Sequence, residues 1–71
     1  MTERSTAEER MRTLAHDIRT PLAIVMGSAE MLERRGEGFT PEQRQEFAAR
    51  IVAAAVEMAR LISEAERPAA S

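Results

Sequence analysis

Seventy-one residues without a cysteine allow one small domain at most, stapled neither by disulfides nor by a zinc cluster. Apolar residues make up 44%, charged residues 31% and aromatics only 3%, both Phe, which suits a helical bundle and not a compact α/β core. A net charge of −2 and a pI near 5.4 exclude the basic face that nucleic acid requires, and no apolar run approaches the ~20 residues of a membrane span.

The amino-terminal stretch MTERSTAEER is polar and charged, so it is no signal peptide. A soluble, cytoplasmic segment without membrane contact is expected. Thr6 followed by Glu9 fits a capping box, with Ser5 and Glu8 as the competing register. Helical periodicity then predicts a first helix over about 6–35. Gly36 is expected to end it in the left-handed conformation, and Arg34 and Arg35 suit the negative end of its dipole. A loop over about 36–40 follows. Thr40, Pro41 and Gln43 occupy the N-cap, N1 and N3 positions of a second helix over about 41–66. Pro68 stops the pattern, and the tail RPAAS is expected to fray. A connection this short makes the two helices antiparallel neighbours.

At about 100° per residue, with Ile18 as zero, Met11, Leu14, Ala15, Leu22, Val25, Ala29 and Leu32 fall within about 60° of it. Met11, Ile18, Val25 and Leu32 also repeat every seventh position, as a coiled-coil seam does. Phe47, Ile51, Ala54, Ala55, Met58, Ile62 and Ala65 form the matching stripe on the second helix. Two such stripes in one hairpin cover each other only in part. The expected fold is therefore all-α, an antiparallel two-helix hairpin that dimerises into a four-helix bundle, and the expected assembly is a homodimer.

The single histidine, His16, lies about 160° from Ile18, away from that core. Thr20, Ala23 and Gly27 share its face, with Ile24 and Met31 to one side. Small and apolar residues around an exposed histidine, where Glu and Arg would be ordinary, suggest a docking surface for another protein. The plainer alternative is random surface composition. Pro21 is expected to kink the helix, because a proline inside a helix removes one hydrogen bond and clashes with the carbonyl four residues back, at Asp17, costing ~3 kcal/mol. A break into two shorter helices is the alternative, but the seam continues in phase across Pro21.

The run HDIRTPL, His16 to Leu22, resembles the H-box of sensor histidine kinases, in their HisKA-type dimerisation and histidine-phosphotransfer (DHp) domain. Each position matches the family pattern of His, acid, aliphatic, Arg, Thr or Asn, Pro, Leu. The resemblance covers about Ala7 to Ala65. It implies that His16 receives a phosphoryl group from ATP and passes it to an aspartate of a response-regulator receiver domain. An imidazole suits that chemistry, since the neutral ring keeps a nucleophilic lone pair. The resemblance also implies that Asp17 is the acid/base partner on the other ring nitrogen, and that Thr20 positions water for dephosphorylating the regulator. Arg19 would contact phosphate or an acidic partner residue. For Asp17, Thr20 and Arg19 the plain readings are a surface carboxylate, a hydroxyl bonded back to its own helix, and a surface cation. Ala23, Ile24, Gly27 and Met31 would dock the partner.

No Gly-rich nucleotide loop and no Mg²⁺ ligand set occurs in the sequence. The resemblance therefore implies no cofactor within this chain. ATP and Mg²⁺ would act through a separate ATP-binding domain of the parent kinase, and no autokinase activity is expected of the segment by itself. A structural dimerisation hairpin with an incidental histidine is the competing reading. A helix-turn-helix DNA binder is disfavoured by the acidic pI.

Overall fold

The protein, seen in a computed structural model, is described over residues 3–67, with side chains described from residue 6. Helix α1 spans Glu3–Arg35, a 3₁₀ turn spans Gly36–Gly38, and α2 spans Pro41–Ala65. The two helices pack antiparallel, as the all-α hairpin reading requires. At 1.5 Å per residue α1 is about 50 Å long. The Cα trace measures 55 × 20 × 10 Å, a slab one helix thick.

Helix α1 ends at Arg35, as expected, but begins earlier than expected, at Glu3 among the described residues. Thr6 therefore lies inside the helix and not at its N-cap. Glu, Arg and Ser at residues 3–5 carry nothing that breaks a helix, and an acid suits the positive end of the dipole. At the other end Gly36 is not left-handed; no described glycine has positive φ. Arg35 leaves the helix at φ −127°, ψ 8°, and the Phe39 N–H donates to Gly36 O at 3.2 Å. That tightened turn, followed by extended Phe39 and Thr40, reverses the chain without a left-handed residue. The chain's two aromatics brace the turn. Phe39 and Phe47 stack with centroids 5.2 Å apart, and the Arg50 guanidinium lies 4.8 Å from the Phe47 centroid.

The start of α2 is as expected. The Gln43 N–H donates to Thr40 Oγ1 at 3.1 Å, and the Thr40 N–H donates to Gln43 Oε1 at 2.8 Å. Two donors that the helix leaves without partners are thereby satisfied. Thr40→Ala should lower hairpin stability by about 1 kcal/mol, read as a shift in the urea unfolding midpoint. The expected stop at Pro68 and the frayed tail lie outside the described residues.

The interior is thin. Pro21, Ser28 and Ala54 are the buried residues among those described, and no described side chain is fully enclosed. Leu14, Ile18, Val25 and Leu32 on α1 and Ile51, Met58 and Leu61 on α2 are half-buried. The seam between the helices is thus rotated about 60° from Ile18, toward Pro21 and Ser28. This corrects the expected core of the single hairpin. Met11, Ala15, Leu22 and Ala29 on α1, and Ala55 and Ile62 on α2, are exposed. Met11 keeps 68% of its surface in solvent. They sit about 100° round from the line joining the helices. Because the helices run in opposite directions, both rotations lead to one broad side of the slab.

Candidate functional site

Helix α1 is continuous through the H-box, with Pro21 inside it. The pyrrolidine is buried, in a groove that it lines together with Ala53 and Ala54 of α2. At residue 21 the Asp17 carbonyl loses its usual donor, and the ring fills the seam where a longer side chain would separate the helices. Proline here serves packing as well as local backbone geometry.

His16 projects from the broad side opposite the uncovered apolar face. Its side chain is 84% exposed, bordered by Glu9, Arg12 and Thr13. Nδ1 lies 3.3 Å from Asp17 Oδ1. A pair this exposed contributes little to stability. Its geometric consequence is larger: Asp17 addresses Nδ1, so Nε2 faces solvent with no protein group in the way.

Asp17 also turns toward α2. It shares an open groove of about 460 Å³ with Thr20, Pro21 and Ile24 from α1 and with Arg50, Ala53, Ala54 and Glu57 from α2. The structure therefore brings together four of the site residues singled out from the sequence, Asp17, Thr20, Pro21 and Ile24. Arg19, Ala23 and Gly27 are exposed beyond the groove's lining, and Met31 is half-buried farther along α1. Open space surrounds the Gly27 Cα, where a Cβ would meet nothing within 4 Å. The hairpin itself does not need that glycine, which costs about 1 kcal/mol relative to alanine in a helix interior.

Arg50 and Glu57 are the charged groove residues that the sequence reading did not single out. Pairing the two stripes at Pro21 and Ala54 would have shown them, because they flank Ala54 by one turn. Glu57 is held by Arg60, which donates from Nε at 3.2 Å and from Nη2 at 2.6 Å, while Arg60 Nη1 donates to Glu64 at 2.5 Å. The Arg60 hydrogen bond, reinforced by its charge, holds the Glu57 carboxyl below the usual carboxylate range. The Glu57 hydrogen bond, then the charges of Glu57 and Glu64, raise Arg60. The pairing is complete above the ordinary carboxylate pKa and is lost as pH falls through the lowered one. At neutral pH the α2 wall of the groove thus holds Glu57 as a carboxylate paired with Arg60.

Among the described residues no group of three or more His, Cys, Asp or Glu is placed to hold a metal ion. No described helix is long and apolar enough to cross a membrane.

A scan against protein-family models matches residues 7–68 to HisKA, the His Kinase A (phospho-acceptor) domain. Searches of curated proteins and of solved structures each returned no match. The family match spans nearly the whole hairpin and contains the exposed His16 with Asp17 at its Nδ1. The chain belongs to the HisKA family, the phospho-acceptor domains of histidine kinases in two-component signalling.

Proposed function

We propose that His16 is the phosphoacceptor and that the hairpin acts as a homodimer in the cytoplasm. The observation that carries this reading is the placement of His16, whose Nδ1 meets Asp17 while Nε2 stays open to two partners in turn. Nε2 attacks the γ-phosphorus of ATP held by a separate ATP-binding domain with Mg²⁺. The N–P bond forms as the bond to the β,γ-bridging oxygen breaks, and ADP leaves with that electron pair. The proton stays on Nδ1, where Asp17 accepts its hydrogen bond and offsets the positive charge that develops on the ring. The phosphoryl group then passes to an aspartate oxygen of a receiver domain, and neutral imidazole is regenerated.

The receiver docks over Ala23, Ile24, Gly27 and Met31 and the groove beside them. The open space at Gly27 supports close approach of a partner there. Arg19 is available to phosphate or to an acidic partner residue. Thr20 lines the groove next to Asp17, which supports a role in holding water against the receiver's phospho-aspartate. Homodimerisation is supported by the uncovered apolar side, which a second hairpin covers in a four-helix bundle.

The test joins the chain through a flexible Gly/Ser linker to the ATP-binding domain of a HisKA-type kinase and supplies γ-labelled ATP with Mg²⁺. Acid-labile, base-stable label should appear and move to an added receiver domain. Thr20→Ala should leave labelling intact while slowing loss of phosphate from the receiver. Dimers that never take up label would leave a structural hairpin as the correct reading.

A further inference from the structure

Helix α2 ends without the usual means of satisfying its last carbonyls. It has no basic residue in its last turn, and Glu66 at the C-cap is right-handed helical, at φ −82°, ψ −9°. Glu64 and Glu66 add negative charge at the negative end of the dipole. The Glu66 N–H donates back to Ile62 O and Ser63 O, and the Arg67 N–H to Glu64 O. Those bonds leave the carbonyls of Ala65 and Arg67 beyond the reach of the helix's own donors. Helix α1, in contrast, carries Arg34 and Arg35 at its own C-terminus.

The missing donor comes from the other helix. Arg10 Nη2 donates to Ala65 O at 3.2 Å and to Arg67 O at 2.6 Å, bridging 55 and 57 residues of sequence. One nitrogen with two hydrogens serves both carbonyls, and its charge opposes that of the helix end. Beneath it lies a cleft of about 270 Å³ with an apolar floor of Leu14, Leu61 and Ala65, bordered by Asp17.

We infer that Arg10 is a positioning residue, a clasp that makes the order of the last turn of α2 depend on where the N-terminal turns of α1 sit. Rotating α1 by one residue step, about 100°, carries Arg10 off both carbonyls and releases the end of α2. Arg10 and His16 lie less than two turns apart on one rigid helix, so the clasp ties the exit from α2 to the turn bearing the histidine. The inference does not require phosphotransfer.

Hydrogen exchange on the full chain tests it. Arg10→Met keeps a flexible stem and removes the donor. Amides of residues 62–67 should exchange about tenfold faster, while those of residues 47–58 stay as in the wild type. Arg10→Lys, one bond shorter but still a donor, should fall between. Unchanged exchange at 62–67, or equal acceleration along the whole of α2, would overturn the clasp. Coupling is reciprocal, so a chain ended after Ser63 should speed exchange around Arg10 by a similar factor, and no change there would count against it. Should Arg10→Met fail to fold, the wild-type chain still decides. Its Arg10 guanidinium protons should exchange more slowly than those of exposed Arg12, and equal rates would refute the bonds.

Discussion

Replacing His16 by glutamine should bring phosphoryl labelling of the chain to background, with helicity and oligomeric state unchanged. The separation of these readouts follows from geometry. The imidazole is 84% exposed, so its loss opens no cavity. Glutamine keeps a polar side chain at the position but offers no ring nitrogen to phosphorus. Asp17→Asn should act more mildly, slowing labelling by about a hundredfold, because it leaves the nucleophile and weakens only the group that orients and stabilises the ring. Labelling kinetics of the fused chain measure both. Equal rates for Asp17→Asn and the wild type would reduce Asp17 to a surface carboxylate.

The second large effect concerns assembly. Ala29 and Ala23 are both exposed on α1 of the single hairpin, so glutamate at either costs the isolated hairpin little. Ala29 lies about 20° from Ile18, on the uncovered apolar side, and Ala23 about 140° away, with His16. Ala29→Glu buries two unpaired carboxylates in the bundle, a cost of about 3 kcal/mol or more for each. The dimer should dissociate at micromolar concentration, and the thin hairpin should lose much of its helicity with it. Ala23→Glu should remain a dimer and weaken receiver docking instead. Sedimentation equilibrium with circular dichroism separates the two outcomes. Equal behaviour of the two variants would mean that the apolar side does not form the interface.

The hairpin was legible because its signals are local. Thr40, Pro41 and Gln43 name a helix start through groups within one turn of each other. The periodicity around Ile18 gives the direction of a buried face. It does not say how much of that face one neighbouring helix can cover. Hence Leu22 and Ala29, central to the stripe, are exposed in the hairpin, while Pro21 and Ser28, at or beyond its edge, are buried. The stripe describes the core of a larger bundle better than the seam of two helices. Gly36 misled because a glycine after a helix is usually left-handed, whereas a 3₁₀ turn offered the chain another exit. At Pro21 sequence shows the hydrogen bond lost but not the burial of the ring in a groove shared with the α2 alanines. The contacts of Arg10 could not be read at all, since a side chain bonded to distant carbonyls leaves no periodic trace.

One measurement bears most directly on the whole account: mass spectrometry, at neutral to basic pH, of the labelled fused chain to locate the phosphate. A single phosphoryl group on the imidazole of His16 is the expected result. Stable phosphate on a serine or threonine of the hairpin, with His16 unmodified, would contradict it.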